Sequence, residues 1–173
     1  MKKLCIMAAL LLLLAGCGAQ ETMETVSDVY AQPVSASAQQ IVLDVPQDAS
    51  MEVMQSSEAG KLYLCDGFTV AVQILEGGDL NRTLQTVTGY PKDALPLMQT
   101  KQEMLKRYEC VFTSAGEGQT QVGRTCVLDD GDHHYTVTVM AGESLAGELT
   151  ETWKTLFDSF RLVSADADLS SGS

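Results

Sequence analysis

Residues 61 to 75 constrain this chain more than any other stretch. Two β-rich runs, Lys61 to Cys65 and Phe68 to Leu75, are separated by Asp66-Gly67 alone. An Asp-Gly pair between alternating runs is the strongest short-range hairpin signal, because glycine supplies the positive φ that a tight turn needs. Phe68, Val70, Val72 and Ile74 alternate on one face. A two-residue turn sets Cys65 opposite Phe68, so Tyr63 and Cys65 share that face. Such a nucleus predicts a fold built on an antiparallel sheet.

Two more hairpins are expected downstream. One runs from Arg107 to Ser114 and returns from Gln121 to Leu128 through Ala115-Gly116-Glu117-Gly118. Taken as symmetric about Gly118, it puts Cys110 opposite Cys126. The other turns at Asp130-Gly131 and returns from His133 to Ala141. Its register puts Asp129 opposite Asp132, Cys126 opposite Tyr135 and Arg124 opposite Val137. The expected inner face then carries Tyr108, Cys110, Phe112, Val122, Cys126, Leu128, Tyr135, Val137 and Val139, a meander with one buried face.

The helices follow from spacing. Asp79 to Val87 places Leu80, Leu84 and Val87 on one stripe, with Gly89 as C-cap. Glu143 to Phe160 reads as one long helix with Leu145, Leu149, Trp153, Leu156, Phe157 and Phe160 on its apolar side. Ile41 to Val45 is a short strand stopped by Pro46, and Phe160 to Val163 closes as an edge strand. Lys92 to Lys106 is a broken helix or a loop leading into a strand, since Pro96 interrupts any helix there. The fold class is α+β: an antiparallel meander packed by an N-terminal short helix and a long C-terminal one.

The first residues belong to an address and not to the fold. Met1-Lys2-Lys3 is a basic n-region, and Leu4 to Leu14 is an apolar run of eleven residues. That run is too short to cross about 30 Å of hydrocarbon, so it reads as a signal peptide. Leu14-Ala15-Gly16-Cys17 resembles a bacterial lipobox, which implies cleavage before Cys17 and its acylation with chains such as palmitate. Residues 1–16 are the expected signal and 17–40 the lipidated cysteine and flexible tether. Residues 41–163 are the domain and 164–173 a disordered tail. A Ser/Gln-rich tether of this length reaches about 25 Å on average.

Charge limits the partners. The chain has 173 residues, 11 Lys+Arg against 23 Asp+Glu, and a net charge of −12. Nucleic acid is excluded as a partner, because phosphate contacts need clustered basic residues. Anionic headgroups repel the domain as well. The membrane is therefore reached through the N-terminal lipid and is a mooring, on the extracytoplasmic face of the cell membrane.

Three sets of residues resemble a known architecture. They are Leu84 through Thr88-Gly89-Tyr90, the Asp129-Asp130-Gly131 turn before Tyr135-Thr136-Val137, and Trp153 through Ser159-Phe160-Arg161. With the element order, they make residues 60–163 similar to the PsbP-like α/β/α sandwich superfamily. More locally they resemble small lipoproteins of Gram-positive anaerobes. The resemblance implies a sandwich fold and carries no catalytic residue. A cystatin- or NTF-like fold is the second choice, but there the long helix precedes the meander.

Asp129-Asp130-Gly131-Asp132-His133-His134 has metal-ligating residue types, but its spacing is not that of a calcium loop. Adjacent histidines on a strand also face opposite ways. A polar surface turn is expected there, and no metal. Cys110 and Cys126 are either bridged across the ladder or two buried small hydrophobes. Arg124 falls on the apolar face, where it either snorkels at the sheet edge or marks a ligand pocket. No Gly-x-Ser-x-Gly elbow, phosphate-binding glycine loop or Cys-x-x-Cys is present. The expectation is a non-catalytic, cofactor-free envelope component that binds a protein partner. The alternative is a lipoprotein that binds a small ligand between helix and sheet at Arg124.

Overall fold

Asp66 and Gly67 close the first hairpin in a computed structural model of the chain, which describes residues 38–53, 60–116 and 118–163. The expected signal segment, Cys17, the tether up to residue 37 and the tail from residue 164 lie outside the described residues. Residues 38–40, at the end of the expected tether, join the fold: Gln40 begins the first strand, and the Gln39 amide donates to the Tyr135 hydroxyl at 2.8 Å.

Among the described residues nine strands form two sheets. β1 (Gln40–Val42) pairs antiparallel with β9 (Arg161–Val163), so the predicted edge strand at the end of the chain exists and has its own small partner. The main sheet contains β2 (Ser50–Val53), β3 (Lys61–Cys65), β4 (Phe68–Glu76), β5 (Met98–Gln102), β6 (Leu105–Gly116), β7 (Gln119–Asp129) and β8 (His133–Gly142). Its spatial order is β2-β3-β4-β8-β7-β6-β5, antiparallel throughout. The nucleus has the expected register, with Cys65 opposite Phe68 and Tyr63 opposite Val70.

The β6–β7 register differs from the expected one by one residue. The hairpin closes on the Gly116–Gln119 pair, with Gly118 at φ 81°, a turn two residues shorter than the expected loop. Cys126 therefore faces Glu109, and Cys110 faces Thr125. A one-residue slip moves a whole strand's side chains to the other face. Tyr108, Cys110 and Phe112 are accordingly not on the face of Cys126 and Leu128. The sheet is buried on both faces, not one.

Each face has its own helix. The face bearing Phe68, Val70, Val72, Cys126, Leu128, Tyr135, Val137 and Val139 packs against Trp153, Leu156, Phe157 and Phe160. Each of these large side chains contributes about 1.5–3 kcal/mol by leaving water. The other face bears Tyr108, Cys110, Phe112 and Val127 and packs against Leu80, Leu84 and Leu95. That second helix, α1 (Leu80–Thr88), starts with the Asp79 carboxylate accepting from the Arg82 amide at 3.0 Å and ends at Gly89, φ 82°. The cap is worth about 1 kcal/mol.

Two further expectations need correction. The helix predicted over Glu143–Phe160 is broken into α2 (Glu143–Ala146) and α3 (Thr150–Ser159), with Gly147 following α2. The β7–β8 pairing sets Asp129 opposite His134, Cys126 opposite Val137 and Arg124 opposite Val139. This turn is two residues longer than expected. An even shift preserves the face, so Arg124 remains on the apolar side.

Candidate docking site at the sheet edge

Three charged residues of the sheet gather under the end of α3. Arg107, Glu109 and Arg124 share the face of Cys126. Glu109 accepts from Arg107 Nε at 2.7 Å and from Arg124 Nη2 at 2.5 Å. Arg107 also donates to Gln102 Oε1 at 2.6 Å and to the Phe157 carbonyl at 3.1 Å. Gln102 in turn donates to the Phe160 carbonyl at 2.9 Å. These donors satisfy carbonyls at the C-terminus of α3, where positive charge is favoured. Burial alone raises the Glu109 carboxyl, but the hydrogen bonds and charges of Arg124 and Arg107 outweigh it and hold the group below the usual range.

Arg124 is thereby spent. Its guanidinium lies 4.7 Å from the centre of the Phe157 ring and pairs with Glu109. Arg124 and Arg107 share this one carboxylate, so the cluster keeps one positive charge, held by the hydrogen bonds and the ring rather than presented to a cavity between helix and sheet. A hollow between α1 and the end of β4, lined by Glu76, Asp79, Arg82 and Thr83, has a volume of about 220 Å³. That is below the range of small-molecule sites; a second, open hollow of about 600 Å³, lined by Asn81, Lys92, Leu97 and Gln99, falls within that range, and neither includes Arg124.

The open feature is the edge of β6. β5 pairs with β6 only from Leu105 to Glu109, ending at Met98 opposite Glu109. The next positions in register are Leu97 opposite Cys110 and Pro96 opposite Val111. Proline has no amide to donate to a ladder, so pairing stops. The Tyr90 hydroxyl donates to the Thr113 carbonyl at 2.6 Å, which shows that this carbonyl points away from β7. Backbone groups two residues apart on a strand point the same way. Val111 and Ala115 therefore present their amides and carbonyls outward, with no backbone partner on that side among the described residues.

An apolar shelf flanks this edge. Met98 is 53% exposed, Val111 50% and Tyr90 37%. Hollows of about 300 Å³ and 280 Å³ lie on either side of Val111; Tyr90, Leu95 and Phe112 help line the first, Met98 and Arg124 the second, and Pro96 both. The shelf is held firmly. Leu95 is buried, the Lys92 amide donates to Asn81 Oδ1 at 2.8 Å, and the Tyr90 ring packs on Phe112 at 6.4 Å.

The Asp129–His134 turn is not a fully solvated surface feature: Asp129, Asp130 and His134 are buried, and Gly131, Asp132 and His133 are half-buried. Asp130 Oδ1 accepts from the amides of Asp132 and His133, and its Oδ2 accepts from the Tyr135 hydroxyl at 2.8 Å. His134 Nδ1 lies 2.6 Å from Thr83 Oγ1, tying α1 to the sheet. Asp129 Oδ1, Asp130 and His134 Nδ1 hold the turn, while Asp129 Oδ2, His133 Nδ1 and His134 Nε2 are buried without a hydrogen-bond partner among the described residues. No group of three metal-ligating side chains occurs among the described residues. Cys110 and Cys126 are free thiols on opposite faces of the sheet, as is the half-buried Cys65 elsewhere. Burial pushes Cys110 up to about 11 and Cys126 up to about 12.

Sequence reasoning found Arg124 and missed Arg107 and Glu109. Their i, i+2 spacing with Gln102 five residues before Arg107 was legible, but only the correct β6–β7 register puts them beside Arg124. The role of Pro96 was visible as a helix breaker and not as the end of a ladder.

No protein-family model matches the chain, and no curated protein matches its sequence. No helix among the described residues is long and apolar enough to cross a membrane. Solved structures do match. LpqN, described as involved in cell envelope biogenesis of Mycobacterium tuberculosis, aligns at TM-score 0.49 and 12% identity over 75% of this chain and 87% of that one. A protein of Bacteroides thetaiotaomicron aligns at 0.50 and 10% identity over 72% of this chain and 46% of its own length. Cyanobacterial PsbP (CyanoP) of Synechocystis aligns at 0.53 and 13% identity over 78% of this chain and 98% of that one. The likeness is one of fold: this chain is an α+β protein with an antiparallel sheet of the PsbP-like kind.

Proposed function

We propose that this chain is a lipid-anchored, extracytoplasmic, non-catalytic domain that docks a protein partner at the edge of β6. The observation that carries the reading is the break at Pro96. It leaves Val111 with unpaired backbone groups between two apolar hollows, on a rigid shelf. The Leu14-Ala15-Gly16-Cys17 sequence supports acylation at Cys17, and the acidic balance supports a protein partner over nucleic acid or a lipid surface. A small-ligand role draws less support, because Arg124 is already paired and stacked. The fold relatives supply no activity to transfer, and the domain works as an accessory of the envelope by contact.

Site-specific photo-crosslinking in the native host tests this. A photoreactive residue at Met98 is expected to capture the same protein in repeated experiments, while one at Lys154, on the exposed side of α3, does not capture it. Equal capture from both positions, or none from Met98, contradicts the docking site. Mass spectrometry of the mature N-terminus tests the anchor: acyl groups on Cys17 are expected, and an unmodified thiol there removes it.

A further inference from the structure

We infer that the open hollow between α1 and β5 is a binding site for a neutral sugar ring, centred on the Gln99 amide. The inference goes beyond the docking reading and does not rest on it. Gln99 pairs with Tyr108 and lies on the α1 face of the sheet, whereas Met98 lies on the other.

Three pieces of chain build the site. Asn81 stands in the first turn of α1, Pro91, Lys92 and Asp93 form a lip, and Leu97 and Gln99 come from the start of β5 and the residue before it. The lip is fixed in place. The Lys92 amide donates to Asn81 Oδ1 at 2.8 Å, and residues 92–94 form a 3₁₀ turn in which the Ala94 amide donates to the Pro91 carbonyl at 3.0 Å. A lip held by its own backbone loses little freedom when a ligand enters. The volume of about 600 Å³ suits a small molecule.

The polar groups choose the ligand. Gln99 Oε1 is buried and has no hydrogen-bond partner among the described residues. A buried acceptor without a donor destabilises the free protein, and a ligand that supplies the donor removes that penalty. Asn81 complements it: its oxygen accepts from Lys92, so its amide nitrogen is the group left to donate. The Lys92 ammonium is a further donor and the Asp93 carboxylate a further acceptor. A hydroxyl donates and accepts at once, so a ring carrying several hydroxyls serves both kinds of group. Leu97 and Pro91 offer apolar surface to the C–H face of such a ring. One Lys92 stands against one Asp93 on the lining, so neither an anion nor a cation finds a net counter-charge.

The test uses the full-length chain in a detergent without a sugar headgroup, followed by the side-chain amide signals of Gln99 and Asn81 in nuclear magnetic resonance. The probes are the methyl glycosides of glucose, galactose, mannose and N-acetylglucosamine, with glucosamine and glucuronate as charged analogues and a blocked dialanine as a neutral amide. At least one glycoside is expected to shift both amides, with a Kd of about 1 mM for so open a site. The charged analogues and the dipeptide are expected to bind at least threefold more weakly. Gln99→Leu removes the buried oxygen and is expected to weaken the glycoside at least tenfold. Asn81→Asp keeps the oxygen that holds Lys92 and removes the donor, and is expected to weaken it at least threefold. A disaccharide of the preferred sugar that binds more tightly than its methyl glycoside assigns the site to the end of a glycan; equal binding assigns it to a free sugar, and both support the ring.

Three results overturn the inference: no amide shift with any of the four glycosides, equal binding of a charged analogue or of the dipeptide, or unchanged affinity in both variants. None of them touches the docking reading, which stands or falls on capture from Met98.

Discussion

Cys126 stands directly across the β6–β7 ladder from Glu109. That pairing puts a carboxylate on the α3 face, between two arginines, and sends Cys110 to the α1 face. The two thiols cannot meet, because a disulfide needs Cβ atoms about 3.8 Å apart and pointing toward each other. Both are buried and raised, to about 11 and about 12, so neither is a thiolate at neutral pH. The expected outcome of alkylation followed by peptide mapping is that Cys110 and Cys126 react only after denaturation. A non-reduced peptide linking them contradicts the register.

Removing the carboxylate leaves two guanidinium groups with each other. Glu109→Gln is expected to cost about 3 kcal/mol, at the low end for breaking a buried pair. The low end applies because the Arg124 side chain keeps 28% exposure. Chemical denaturation checks this. A loss below about 1 kcal/mol means that the pair is no more than a surface bridge.

Acid should unfold the protein through the same group. Glu109 and Asp129 both have carboxyls below their ordinary values of 4.5 and 3.8. Burial works against both. Glu109 is held down by Arg124 and Arg107, and Asp129 by His134 and the Gly131 amide. A lowered carboxyl contributes stability that is complete above its unfolded value and is lost as pH falls through the folded one. Unfolding free energy is therefore expected to be flat with respect to these two groups above about pH 5 and to drop below it. Glu109→Gln should flatten part of that slope. An unchanged slope in the variant excludes Glu109 as a contributor.

Glu103 has φ 56° at the first central position of the Gln102–Leu105 turn, where a hairpin of this length favours glycine. Glu103→Gly is expected to stabilise the protein by about 0.5–1 kcal/mol, the left-handed strain relieved less the entropy that glycine loses. A thermal melt checks it, and a lower melting temperature contradicts it.

Gly123 lies across the ladder from Phe112, whose ring atoms come within 2.4–2.8 Å of where a Cβ would sit. Gly123→Ala is expected to cost about 1–3 kcal/mol by driving that ring from its place. Because Tyr90 packs on the same ring, the substitution should also loosen the shelf beside Val111. Unchanged stability contradicts this packing.

The legible parts of the fold were those settled by short-range chemistry. Asp66-Gly67 fixes its hairpin, because two residues allow one register. Asp79 and Gly89 bracket α1, because a carboxylate caps one end and a left-handed glycine the other. The β6–β7 register was not legible, because Ala115-Gly116-Glu117-Gly118 offers more than one closing pair and apolar residues occupy both faces of β7, Cys126 and Leu128 on one and Val127 on the other. Hydrophobic alternation then cannot tell one face from the other, and the Arg107–Glu109–Arg124 cluster hides with it. β2 and β5 are short edge strands of polar composition, Ser50–Val53 and Met98–Gln102, and they carry little periodic signal. The break in the α2–α3 region follows from Gly147-Glu148, which weakens a helix that the apolar stripe alone would continue. The depth of the Asp129–His134 turn depends on Thr83 and Gln39, both distant in sequence.

The measurement closest to the central claim is residue-resolved hydrogen exchange along β6, in the chain alone and in the complex that Met98 captures. Alone, Cys110, Phe112 and Ser114 should exchange slowly through their bonds to β7, while Val111 and Ala115 exchange fast. In the complex, Val111 and Ala115 should slow as well. Slow exchange at Val111 before any partner is added, or fast exchange there once the complex has formed, contradicts an open edge used for docking.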